Sequence, residues 1–164
     1  MATRMNCNVQ PSSLLTKYGH TNYMRNTCIP VYLVDEFSTQ LCKHHRQSLF
    51  VFGDNALHRG KGGQAIIRDC ENAVGFITKY KPTWESDAFL TDTGITRLEA
   101  WITGFDATIF TLLVTQDYTG IVLPKDGVGT GRAKLAQSSP LCFSRIQEYF
   151  QSTFGRTLTE KGFL

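Results

Sequence analysis

The sequence predicts an α/β fold, a three-layer α/β/α sandwich around a mostly parallel central sheet. Two observations carry that prediction. Short apolar runs rich in β-branched and aromatic residues alternate with stretches of helical period, the pattern of strands linked by crossover helices. Two of the runs end directly in glycine-rich stretches flanked by cations, as expected where a parallel sheet presents its carboxyl edge to a ligand.

Residues 1–28, with many Asn, Ser and Thr, read as an irregular arm whose Leu14, Leu15, Tyr18 and Tyr23 are expected to cover a core edge. One domain is expected over residues 29–164. "IPVYLVDEF" (29–37) reads as a strand after a proline, and "SLFVF" (48–52) as a strand covered on both faces. "GQAIIRDC" (63–70) predicts a short helix that turns Ile66, Ile67 and Cys70 inward, and "AVGFITK" (73–79) a third strand. From Thr91 to Gln116, residues Ile95, Leu98, Ile102, Phe105, Ile109, Leu112 and Leu113 recur at three- and four-residue steps, one buried face of a helix. Gly104 is expected to weaken or break it. "TGIVLP" (119–124) is a further buried strand. The last helix has Ser139 as its expected N-cap, Pro140 at the first helical position and Gly155 as its stop, with Leu141, Cys142, Ile146, Tyr149, Phe150 and Phe154 as its apolar face.

The chain has 164 residues, 41% hydrophobic and 19% charged, enough for one real core and unlike a disordered composition. A net charge of +3 favours anionic ligands without the dense cationic stripe of a duplex-binding protein. Five cysteines without a C-x-x-C spacing argue against a disulfide framework and for a reducing compartment. No apolar run of membrane-spanning length and no hydrophobic leader is read in the sequence, so a cytoplasmic location is expected. Cys42, His44 and His45 in "LCKHHRQ" do not form a four-ligand set, since adjacent histidines on a helix face different ways; neither a metal nor a cofactor is expected.

The chemistry concentrates in two stretches. "LFVFGDNALHRGKGGQA" (49–65) leaves its strand through Gly53, Asp54 and Asn55 and continues into Arg59, Lys61, Gly62 and Gly63. "IVLPKDGVGTGRAKL" (121–135) leaves its strand through Asp126, Gly127, Val128, Gly129, Thr130 and Gly131. Successive N–H groups of such loops form anion nests, and a diphosphate between them is the simplest ligand of the right charge and length. Neither stretch fits a P-loop or a dinucleotide-binding fingerprint. Asp54 and Asn55 serve either the ligand or the turn itself; Lys61 and Arg59 serve either phosphate or solvent. Trp84, in the polar loop "KPTWESD", is a candidate to stack on a base or on the substrate, whereas Trp101 belongs with the apolar helix face.

"VFGDNALHRGKGGQAI" and "IVLPKDGVGTGRAKLAQSSP" resemble the first and second ligand loops of macrodomains, in matching order over about residues 29–154, and look closest to a divergent group often encoded by phages. The resemblance implies binding of ADP-ribose or a related NAD-derived nucleotide, free or on an ADP-ribosylated substrate. Asn55 then contacts the distal ribose, Asp54 orients it or a water, and Gly62, Gly63 and residues 127–131 hold the diphosphate. "FITKYKP" is similar to a strand in the branch containing terminal ADP-ribose protein glycohydrolase, which puts Lys79 at the place of a ribose-attacking lysine. The catalytic aspartate of that branch falls on Ala133 here, leaving Asp126 as its only nearby substitute. The alternatives are an ADP-ribosyl hydrolase, a non-catalytic nucleotide reader, such as a phage product acting on NAD-derived signals in the host cytoplasm, and a nucleic-acid binder using the basic loops.

Overall fold

The computed structural model describes residues 29–155 and a two-residue strand, Leu158–Thr159; the expected N-terminal arm lies outside the described residues. Five strands, β1 (Val31–Val34), β2 (Ser48–Asn55), β3 (Ala73–Lys79), β4 (Gly120–Pro124) and β5 (Leu158–Thr159), form one sheet in the order β3-β2-β4-β1-β5. Every pairing is parallel. The helices are α1 (Thr39–His44), α2 (Ile95–Thr115), α3 (Leu135–Ser138) and α4 (Pro140–Phe154), with 3-10 turns at Gly63–Ile67, Ser86–Ala88 and Asp92–Gly94.

Parallel strands need both faces covered, and alternation along the strands sorts their side chains into two cores. Leu49, Val51, Ile121 and Leu123 pack with α2 and α4. Phe50, Phe52 and Val122 face the other way, onto Cys42 of α1 and Ala65 and Ile67 of the first 3-10 turn. The result is the three-layer α/β/α arrangement, thick on one face and thin on the other. Crossovers toward β3 therefore run on the thin face and those returning toward β5 on the thick face, as right-handed connections require.

Several local expectations are corrected. The helix expected over 63–70 is a tight 3-10 turn, whose three-residue repeat buries Ala65 and Ile67 and leaves Ile66 exposed. Gly104 does not break α2, because it lies on the open side of the helix with nothing near its missing side chain. Ser139 does not cap α4 with its own oxygen; Asp92, 49 residues from Leu141, accepts from Leu141 N–H at 3.0 Å and from Ser139 Oγ at 2.8 Å. Leu141 is exposed and leaves the expected apolar face. Gly155 does close α4 as expected, as its C-cap in a right-handed conformation.

By length and composition the stretch Ser86–Thr115 holds one helix apolar enough to cross a membrane, which corrects the sequence reading. Leu98, Ile102, Phe105, Ile109 and Leu113 of that helix pack in the main core.

Candidate functional site

Strands β2 and β4 are neighbours, and the loops that follow them leave toward opposite faces of the sheet, which opens a crevice at their carboxyl ends. A cleft of about 440 Å³ fills that crevice, lined by Gly53, Asn55 and Gly60–Gln64 from the first loop and by Gly129, Gly131, Arg132 and Ala133 from the second. Thr78 and Lys79 at the end of β3, with Trp84 beyond them, close its third side. Two loops 63 residues apart thus converge as their sequences suggested.

Gln64, unremarked in the sequence, joins them. Its Oε1 accepts from Gly53 N–H at 2.9 Å, and its Nε2 donates to the Gly127 carbonyl at 3.1 Å. Gln64→Ala removes both bonds and leaves the partly buried Gly53 N–H without its acceptor, while the Gly127 carbonyl keeps Thr130 Oγ1 at 3.0 Å, so a loss of about 1–2 kcal/mol is expected in urea titration, together with weaker binding of any ligand that spans both loops.

Arg132 is the second residue that the sequence reading missed. Its guanidinium lies across the first loop so closely that a Cβ built on Gly62 would run into Nη1 and Cζ. Gly62 is therefore a glycine because a cation from the other loop rests on its backbone. Among the described residues no carboxylate pairs with Arg132, whereas Lys61 pairs with Asp69 across the surface. No acceptor among the described residues takes the backbone N–H of Gly129, Gly131 or Arg132. Gly129 is itself buried, where an N–H normally finds a partner. Free N–H groups and an unpaired guanidinium give the cleft donors of the kind that suit an anion.

Asp54 and Asn55 spend their polar atoms on the first loop. The Asp54 carboxylate accepts from Asn55 N–H at 2.6 Å and from Arg68 Nη2 at 2.5 Å, and meets His58 Nδ1 at 2.8 Å. It lies over Gly75 of β3, where an added Cβ would sit 2.6 Å from Oδ2. Asn55 Oδ1 accepts from Leu57 N–H and Arg59 N–H, and its Nδ2 donates to the Arg59 carbonyl at 2.7 Å. This is an Asx turn that bends β2 away from the sheet. A β-bulge between Asp54 and Asn55 marks where it starts.

Lys79 points into a nearly enclosed corner. It is 7% exposed, donates to the Thr83 carbonyl at 2.8 Å, and sits 4.4 Å from the Phe89 ring centre and 5.2 Å from that of Trp84. Burial first, then the Arg132 and Lys134 charges, hold its ammonium below the ordinary lysine value. Trp84 is 59% exposed and carries Lys134 Nζ at 5.2 Å as well, so one indole links the ends of β3 and of the second loop. Asp126 is a correction to the expected site: it is exposed and lies on a separate groove beside α4. Pro124 ends β4 just before it, so its side chain leaves the sheet edge before the loop turns toward the cleft. Val128 is also buried in the main core, where it supports the second loop from below. Ala133 is buried against that core too.

A family model matches residues 32–149 and so covers both loops, Lys79 and Trp84. The chain belongs to DUF7831, a family of unknown function. No curated protein matches the chain. No solved structure matches it either. The family span starts at β1 and stops within α4, so it contains every residue that lines the cleft.

Proposed function

We propose that the protein binds ADP-ribose or a closely related NAD-derived nucleotide, its diphosphate lying between the two glycine loops. The observation that carries this reading is the pairing of backbone N–H groups without acceptors and the Arg132 guanidinium around one 440 Å³ cleft, a volume suited to a small-molecule ligand. A second groove of about 440 Å³ shares Lys61, Gly63 and Gln64 with the cleft and continues past Asp35, Glu36 and Phe37. Carboxylates beside an aromatic ring suit a base with an amino group. That orientation puts the distal ribose at the Lys79 and Trp84 end.

Binding is better supported than hydrolysis. The only carboxylate lining the cleft among the described residues is Asp54, already engaged by Arg68, His58 and the Asn55 N–H. One observation favours chemistry: Lys79 is a buried amine with a lowered proton affinity, the condition under which lysine attacks a sugar C1 or an aldehyde. The primary reading is therefore a nucleotide reader or sequestering protein that acts in the cytoplasm, that of the host if a phage encodes it. An ADP-ribosyl hydrolase that relies on Lys79 is the second.

Calorimetric titration with ADP-ribose, AMP, NAD and a short oligonucleotide, followed by chromatography of each mixture, tests both readings. One-to-one saturation by ADP-ribose without product supports the reader; a new product supports the hydrolase. Affinity that grows with oligonucleotide length and falls steeply with salt assigns the basic loops to nucleic acid instead.

Lys79→Met separates function from stability. The lowered proton affinity means that the unfolded chain holds the Lys79 proton more tightly than the folded one. The resulting destabilisation is fully present below the folded value and lifts as pH rises toward the ordinary 10.5. Lys79→Met is expected to melt no lower than wild type near neutral pH, to lose the alkaline gain in stability from this group, and to abolish any turnover. Thermal melts between neutral pH and about pH 10, with the same chromatography, check it.

A further inference from the structure

The thin face of the sheet holds a pair of cysteines that the cleft does not use. Cys42 on α1 is 1% exposed and packs among Phe50, Phe52, Ile67 and Val122, and Cys70, partly exposed at the turn before β3, packs against the same cluster. The backbone ties the two positions together: Asn72, two residues beyond Cys70, donates its side-chain N–H to the Cys42 carbonyl at 3.1 Å. Cys70 N–H in turn donates to the Ile67 carbonyl at 2.9 Å. Of the described cysteines, Cys142 lies on the other face, in the main core.

We infer that Cys42 and Cys70 form an oxidisable dithiol, a modification site at which a peroxide closes a reversible disulfide between α1 and the turn leading into β3. Cys70, the more exposed of the two, attacks the O–O bond of hydrogen peroxide. It becomes a sulfenic acid with release of one water. Cys42 Sγ then displaces the sulfenic hydroxyl, which leaves as a second water with the Cys42 proton, and the S–S bond forms. Two thiols lose two electrons and two hydrogens, and one peroxide becomes two waters. Burial first, and then the Cys70 thiol, push Cys42 up to about 12. Cys42, 1% exposed, is shielded from bulk reagents by its burial, the situation of a resolving partner. The cross-link ties α1 to the segment that carries Arg68, the residue holding Asp54 at 2.5 Å.

The test treats the folded chain with hydrogen peroxide, blocks free thiols, and digests with trypsin and a glutamate-specific protease. Cleavage after Glu36, Lys43, Arg68 and Glu71 gives the peptides Phe37–Lys43 and Asp69–Glu71. These are expected to be joined, lighter than their sum by two hydrogens and separated by dithiothreitol, with the joined form absent in Cys70→Ser and in Cys42→Ala. The oxidised wild type is expected to melt higher than the reduced one, because the link restricts the unfolded chain. Recovery of the two peptides unlinked, with Cys70 carried on to sulfinic or sulfonic acid or with either cysteine joined to another, overturns the inference.

Discussion

Asp54→Ala is expected to cost about 3–5 kcal/mol of stability, the range for removing one partner of a buried ion pair. Asp54 is 5% exposed, and Arg68 is held against it with a side chain only 13% exposed. Alanine leaves that guanidinium facing the Arg59 and Gly60 carbonyls alone and strips Asn55 N–H of its acceptor. Urea denaturation monitored by tryptophan emission reads the loss. Asp54→Asn keeps an oxygen for Asn55 N–H but not the charge for Arg68, so an intermediate loss is expected. Stability unchanged in the alanine variant would show that Asp54 is not the brace of the first loop, and would return it to the roles of substrate orientation and water activation.

The second large effect separates two glycines of the same loop. Gly129 has φ +80°, and a Cβ there would collide with Leu135 and stand 3.3 Å from Thr78 Cγ2. Gly129→Ala therefore combines about 1–2 kcal/mol for the left-handed backbone with about 1–3 kcal/mol of overpacking. The larger Gly129→Glu is expected to unfold the loop and says nothing about a ligand. Gly131 is exposed and has open space where its Cβ would be. Gly131→Trp is expected to change stability by less than about 0.5 kcal/mol and to weaken ADP-ribose binding by about tenfold or more, or about 1.4 kcal/mol, by filling the cleft. A chain that keeps its melting temperature and its affinity with Trp at 131 would place the ligand elsewhere.

The sheet was legible because its signals are local. Leu49 to Phe52 of "SLFVF" and Ile121 to Leu123 of "GIVLP" alternate between two cores, as a strand covered on both faces must, and each run stops at the turn chemistry that ends its strand. The two glycine loops were legible for the same reason. What escaped the reading depends on contacts distant along the chain. Arg132 explains Gly62 only once the loops converge, and Asp92 caps a helix that begins 48 residues later, which no local capping pattern reveals. Asp54 and Asn55 present the same letters whether they meet a ribose or brace a turn. The side chains of His58 and Arg68 and the backbone of Arg59 decide how they are used in this fold. α1, six residues with only Cys42 buried, has too little periodicity to be read, and β5 pairs two residues with β1, below the length at which strand patterns are visible.

In the proposed complex the two loops hold a diphosphate with their backbone N–H groups. Amide nitrogen–proton correlation spectra recorded during titration with ADP-ribose, pyrophosphate and adenosine test it most directly. The Gly62, Gly63, Gly129, Gly131 and Arg132 amides are expected to move with ADP-ribose and with pyrophosphate, and to stay in place with adenosine. Saturating ADP-ribose that leaves these amides unmoved, or moves only residues beside α4, would contradict it.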